Sequence, residues 1–278
     1  MREGNDIFSV ILLAGDRISD DLAKASPCNR KALLDLNGQP MLLYVLNTLM
    51  ASAKVGSVFV VGNRVREISS YPSINTWLSS KNRQDRVRFI EGENSPATSV
   101  VAALKALCLQ SPVLVTTADN PLLTIETLNQ FCDMALNLDG ADVAVGLAVE
   151  EDIRVAFPEA RRTFVRLGGS GYSGCNLFTL MSNDASRAAE IWCDVEKRRK
   201  RPWQLISYFG VGTLFKALIG RLDLDGAFRA VSHFMHLNVK EIILRDPTAA
   251  MDVDRLEHVS IARDVLSERR SAPVLTRS

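Results

Sequence analysis

Val10-Ile11-Leu12-Leu13-Ala14-Gly15-Asp16-Arg17 opens the stretch that decides the fold, and Lys31-Ala32-Leu33-Leu34-Asp35-Leu36-Asn37-Gly38-Gln39-Pro40-Met41 completes it. The first half is an unbroken aliphatic run, the pattern of a strand buried on both faces. It stops at two small residues, Ala14 and Gly15. A polar loop follows and closes on Lys31. Gly38 to Pro40 makes a turn, and from Met41 the apolar positions recur with helical period. Leu42, Val45, Leu46 and Leu49 share one face. This order gathers backbone N–H groups, Arg17 and Lys31 at the carboxyl end of a buried strand, where open α/β sheets bind ligands. Amides and cations together favour phosphate.

The alternation continues downstream. Residues 55–62 (VGSVFVVG), 87–91, 112–118 and 141–149 (ADVAVGLAV) read as strands. Helices are expected after Ser95-Pro96, with Val100, Val101, Leu104 and Leu107 inward, and over 125–138. Residues 71–86 read as polar and irregular with a short helix, and 150–160 as a turn and a weaker strand. A strand over 163–167 ends in Gly168-Gly169-Ser170-Gly171. Strand–helix alternation implies right-handed crossovers and a mostly parallel central sheet flanked by helices, an α/β class fold in one domain over 1–278. The composition shifts at Ala185. Helical segments over 185–200, 205–209, 211–222 and 227–234 form a late helical subdomain, 185–236, inserted in that domain. A strand over 239–244, a helix over 255–269 and a loose tail complete the chain.

Composition narrows the function. The 278 residues carry 33 Lys and Arg against 32 Asp and Glu, a formal net charge of +1. No global basic field attracts nucleic acid. The hydrophobic share of 47% suffices for a large core. The five cysteines are far apart, with no Cys-x-x-Cys pair, which argues against a zinc site and a disulfide framework and fits a reducing cytosol. No signal peptide and no apolar run of ~18 residues is evident, so a cytoplasmic protein, monomer or homodimer, is expected. His233 and His236 have helical i, i+3 spacing but no further ligand at metal spacing, and read as surface or packing residues. The basic run Lys197 to Arg201 reads first as a solvated helix end. Acceptor-phosphate binding, and membrane contact through 197–222 beside Trp203, are its other readings.

The opening stretch resembles the start of the MobA-like nucleotidyltransferases, which have a GT-A-type, Rossmann-like fold. Their pattern is Leu-Ala-Gly-Gly-x-Gly-x-Arg, a loop, Pro-Lys-Ala-Leu, then a Gly-x-Pro turn and a helix. Leu13, Ala14, Gly15, Arg17, Lys31, Ala32, Leu33, Gly38 and Pro40 match it. Asp16 departs from it where a second glycine is usual, and Asn29-Arg30 replaces the proline before the lysine. An acid beside a triphosphate is unfavourable unless a metal or Arg17 offsets it. Asp119-Asn120-Pro121-Leu122 is similar to the family's metal-binding Asp-x-Pro-Leu. Gly174-Cys175-Asn176 resembles its acceptor-side Gly-x-Asn, and Asp252-Val253-Asp254 its closing Asp-x-Asp.

The resemblance implies transfer of a nucleoside monophosphate from a nucleoside triphosphate, CTP or GTP, to a phosphorylated small-molecule acceptor, with Mg2+ bound and pyrophosphate leaving. It implies Lys31 and Arg17 as catalytic cations, and Asp119 with Asp254 or Asp252 as metal ligands. Leu13, Ala14, Gly15 and Asp16, with Ser95, Thr98 and Ser99, would contact the nucleotide. Gly174 and Asn176 would contact the acceptor. Plainer readings stand beside these: Asp119 and Asp254 as helix N-caps, and the glycines near Asn176 as hairpin geometry. Two other functions are a silent nucleotide-binding regulator, motivated by Asp16, and a GT-A glycosyltransferase, motivated by Asp252-Val253-Asp254.

Overall fold

The computed structural model describes residues 7–16, 21–108, 112–198 and 221–271. Strand β1, Phe8–Leu13, lies at the centre of the sheet. A short helix α1, Asp21–Lys24, follows. Two 3-10 turns then lead to a hairpin of β2, Asp35–Leu36, and β3, Gln39–Pro40. Asn37 and Gly38 both have positive φ, as a two-residue turn matching strand twist requires. Helix α2, Met41–Ala51, buries Leu42, Val45, Leu46 and Leu49, the face read from the sequence.

Strands β4, Val55–Gly62, and β5, Val87–Glu91, extend the sheet on one side. Between them lie three short helices, α3 Val65–Ser69, α4 Pro72–Leu78 and α5 Lys81–Arg86, the last two in the segment 71–86 where one was expected. Helix α6, Pro96–Leu107, leads to β6, Val113–Thr117, and α7, Ile125–Leu136, leads to β7, Val143–Val149. Residues 150–156 form helix α8, Glu150–Ala156, correcting the weaker strand expected there. Its acidic first turn, Glu150-Glu151-Asp152, complements the helix dipole, and Arg154 pairs with Glu150 at 2.6 Å. A hairpin of β8, Val165–Leu167, and β9, Ser170–Leu180, comes next. Helix α9, Ser186–Arg198, a helix Leu224–Met235, strand β10, Val239–Leu244, and a closing helix, Leu256–Ser271, complete the described chain.

The strand order is β10-β7-β9-β6-β1-β4-β5, with β8 paired to β9. Strand β9 is antiparallel to its neighbours, and the pairs β10–β7, β6–β1, β1–β4 and β4–β5 are parallel. Register levels the central strand ends: Leu13 lies opposite both Val61 and Thr117. One core covers the face of Val10, Leu12, Leu114 and Leu177, packed by α2, α7 and the closing helix. The other covers Ile11, Val115 and Phe178, packed by α6, α9 and the helix Leu224–Met235. Period-2 alternation puts Leu13 and Thr117 on that second face near its carboxyl edge, and the register of β9 against β7 brings Gly174 there, with Asn176 in the intervening bulge.

Candidate active site

Strand β1 ends at Leu13 and β6 at Thr117, so the chain leaves both strands at one level. Ala118 donates to Leu13 O at 2.8 Å, and Ala14 donates to Val61 O at 2.8 Å, carrying both ladders one residue further. Asp119 therefore emerges at the carboxyl edge beside the Ala14-Gly15 turn. After β10, a 3-10 turn, Pro247–Ala250, brings the chain back to the same place. The Val253 N–H donates to Asp119 O at 2.7 Å, and the Asn120 side-chain amide donates to Ala249 O at 2.6 Å. These bonds set Asp252 and Asp254 beside Asp119. One ligand oxygen from each carboxylate lies within 4.8 Å of the others.

Lys31 enters this cluster from the other end of the chain. It opens a 3-10 turn, Lys31–Leu33, and is only 8% exposed. Its Nζ lies 2.8 Å from Asp119 Oδ2 and 2.6 Å from Asp254 Oδ1. Burial alone would lower the lysine pKa, but attraction to Asp119 and Asp254 outweighs it and holds the ammonium above the usual lysine range. Thr117 Oγ1 donates to Asp119 Oδ1 at 2.5 Å, fixing that carboxylate.

Asp252 is buried and paired with Arg162, whose Nη2 also reaches Ser173 Oγ at 3.5 Å. Burial, a hydrogen bond with Asp254 and the charge of Asp119 push the Asp252 carboxyl up to about 7, against the pull of Arg162. Behind it, the Asp254 N–H donates to His258 Nδ1 at 3.3 Å. Burial, then Arg162, lowers the His258 pKa, so the ring stays a neutral acceptor. Asp119, Asp252 and Asp254 face the Lys31 and Arg162 cations, and Asp252 adds its negative charge only as it loses its raised proton. This all-oxygen donor set suits a hard divalent ion such as Mg2+. The nearby Cys175 thiol is pushed up to about 12 by burial, so it stays protonated.

The departure at Asp16 has a partner of its own in Arg30. Asp16 Oδ2 lies 2.9 Å from Arg30 Nη1, and Asp16 Oδ1 accepts the Lys31 N–H at 2.9 Å. The Asp16 N–H donates to Asn63 Oδ1 at 3.1 Å. The two departures from the resembled pattern therefore bond to each other.

Ser95 and Thr98 form a reciprocal capping box at the start of α6, and Ser99 Oγ accepts the Glu93 N–H at 2.9 Å. Their side chains are spent locally, while the turn at Gly92 that leads into the helix approaches the end of β4. A Cβ on Gly92 would lie 3.1 Å from Gly62 backbone. Asn176 has a φ of 53° within a register shift of β7 against β9, a bulge that re-aims a side chain. A Cβ on Gly174 would meet nothing within 4 Å, so that face is open beside Asn176. Lys31, Asp119, Asp252 and Asp254 thus meet. Leu13, Ala14 and Gly15 lie at the same strand level, and Gly174 and Asn176 lie on the open face across β6. Arg17 and residues 199–220, including most of the basic run, lie outside the described residues.

Sequence reasoning missed Arg30, Asn63, Thr117, Arg162 and His258. Thr117 was readable as the residue two before Asp119 on a strand end. Arg162 carried no signal, since it lies on a loop with no period.

A model of the MobA-like NTP transferase domain matches residues 10–174, more than half of the chain. A hypothetical transferase from Thermus thermophilus is 26% identical, with a TM-score of 0.75 over 91% of this chain and 99% of its own. Two further structures share the fold. A 4-diphosphocytidyl-2C-methyl-D-erythritol synthase from Anaerococcus prevotii is 13% identical, with a TM-score of 0.57 over 95% of this chain and 100% of its own. A CMP:2-keto-3-deoxy-manno-octonic acid synthetase complexed with CTP is 11% identical, with a TM-score of 0.55 over 95% of this chain and 98% of its own. No curated protein matches the chain significantly. With its first strand, Lys31 and Asp119 inside the matched region, the chain belongs to the MobA-like NTP transferase family, and it is a nucleotidyltransferase.

Proposed function

We propose that the protein transfers a nucleoside monophosphate from CTP or GTP to a phosphorylated small-molecule acceptor, with Mg2+ bound and pyrophosphate released. The observation that carries this reading is the Lys31 ammonium bridging Asp119 and Asp254 at the sheet's ligand edge. Asp119 and Asp254 would hold the ion, with Asp252 beside them. When bound, Mg2+ offsets charge on the reacting phosphates. Lys31 then supplies a second, fixed positive charge as pyrophosphate leaves, and Arg17 a third on sequence grounds. Turns 14–16 and 92–95 would receive the nucleotide. The open face at Gly174 and Asn176 would receive the acceptor and align its phosphate for in-line attack. No covalent enzyme nucleophile is needed.

CTP is favoured because the complexed neighbour holds it, and GTP because the molybdenum cofactor guanylyltransferases are among the family's relatives. The silent-regulator reading loses its motive. The Asp16 carboxylate is answered by Arg30 and adds no unbalanced charge. A screen of the four triphosphates against phosphorylated sugars, polyols and cofactors, monitored by pyrophosphate release, tests the proposal. Acceptor-dependent release with one triphosphate is expected. Tight binding of a triphosphate without release under any acceptor would favour the regulator.

A further inference from the structure

Asp16 uses its N–H and both carboxylate oxygens on the protein itself. Its N–H goes to Asn63, one carboxylate oxygen to Arg30 and the other to the Lys31 N–H. The Arg30 and Asp16 side chains are 4% and 6% exposed. Arg30 Nε also reaches Glu67 at 3.0 Å, and Glu67 is held in turn by Arg64. The cluster joins the loop after β1, the loop after β4 and the start of the lysine turn. The Lys31 N–H is the first donor of that 3-10 turn and has no partner within it. Asp16 supplies the missing acceptor from 15 residues away.

The geometry points to Asp16 as a positioning residue for Lys31: locked by Arg30, it fixes the backbone from which the lysine reaches Asp119 and Asp254. It contacts no phosphate. For its effect on nucleotide binding this inference rests on the nucleotidyl-transfer reading. A carboxylate facing a triphosphate directly would repel it, and its removal would tighten binding. A carboxylate acting through Lys31 has the opposite sign, because its removal loosens the cation. Arg30 is needed because an unpaired buried carboxylate is strongly disfavoured. Each departure from the resembled pattern therefore has the other as its reason.

The test is calorimetry with CTP and with GTP in MgCl2 on four proteins: wild type, Asp16→Ala, Lys31→Ala and the double variant. Asp16→Ala is expected to weaken binding of the preferred nucleotide by about tenfold, the loss of one charge-assisted bond. The double variant is expected to bind no more weakly than Lys31→Ala alone, since Asp16 has no route to the nucleotide without the lysine. Asp16→Asn, which keeps an acceptor for the Lys31 N–H, is expected to fall between wild type and Asp16→Ala. It also stands in if Asp16→Ala fails to fold. Tighter binding by Asp16→Ala, or losses that multiply in the double variant, would overturn the inference. If wild type binds neither nucleotide, the nucleotidyl-transfer reading fails instead. Amide exchange at Lys31 then decides the positioning role: exchange at least about tenfold faster in Asp16→Asn or Asp16→Ala supports it, and unchanged protection overturns it.

Discussion

Lys31 sits between two acids that would repel each other without it, and this sets what its loss does. Lys31→Ala should lower turnover by at least about a hundredfold, the effect of removing one electrostatic stabiliser of a transition state. It also leaves Asp119, Asp252 and Asp254 facing Arg162 alone, so the metal-free variant should melt earlier and regain more from Mg2+ than wild type does. Thermal melts with EDTA and with MgCl2 check this, and equal gains in both proteins would contradict it. Asp252 adds a pH dependence. A carboxyl raised on folding holds its proton more tightly in the folded state, so its stabilisation is full at low pH and lost as pH rises. The window runs from about 4, the unfolded aspartate value, to about 7. His258 acts the other way: lowered on folding, it removes stability as pH falls below about 6.5. Asp252→Asn isolates the first effect. Relative to wild type it should remove the loss of metal-free stability between pH 4 and 7, on the order of a few kcal/mol. Parallel melting-temperature profiles for the two proteins would contradict this.

At the scale of elements, the site depends on how closely two strand ends approach. A Cβ on Gly62, the last residue of β4, would lie 2.8 Å from the Ala14 carbonyl carbon and oxygen and 2.9 Å from Gly15 N. Gly62→Ala should therefore push the 14–15 turn outward, destabilise by roughly 1–3 kcal/mol as overpacking does, and weaken nucleotide binding. Denaturant unfolding together with calorimetry measures both. Unchanged stability would show that the turn gives way freely. Elements of this kind were legible because buried parallel strands advertise themselves as unbroken aliphatic runs, and α2 and α6 as periodic ones. Helix α8 was not legible. Only Glu150 and Ile153 of its seven residues are buried, while Val155 is 81% exposed, so no apolar period survives. At the site, Lys31, Asp119 and Asp254 were readable because each lies at or next to an element boundary in a recognisable motif. Arg30 and Arg162 act through partners distant in sequence, 14 and 90 residues away, and local pattern carries no trace of such pairs.

Across the whole molecule, the site is assembled from residues 223 positions apart, Lys31 and Asp254. Bonds between distant segments hold these halves in register. Asn37 on the β2–β3 hairpin donates to Arg263 O at 2.8 Å, and Arg263 donates back to Asp35 O at 2.9 Å. Asn120, 1% exposed, ties the exit of β6 to the turn that presents Asp252 and Asp254. Asn120→Ala should destabilise by about 1–3 kcal/mol, since Ala249 O loses its buried donor. It should weaken Mg2+ binding more than it weakens the fold, because Asp119 and Asp254 would part. A loss of stability with unchanged Mg2+ affinity would contradict this. No helix among the described residues is long and apolar enough to cross a membrane.

The most direct measurement is a crystal structure grown with MnCl2 and CTP or GTP, read by the manganese anomalous signal. The expected map places the ion on Asp119 and Asp254, with the Lys31 ammonium turned onto the triphosphate. An ion elsewhere, or a nucleotide bound away from both Lys31 and Asp119, would contradict the assignment of this cluster as the active site.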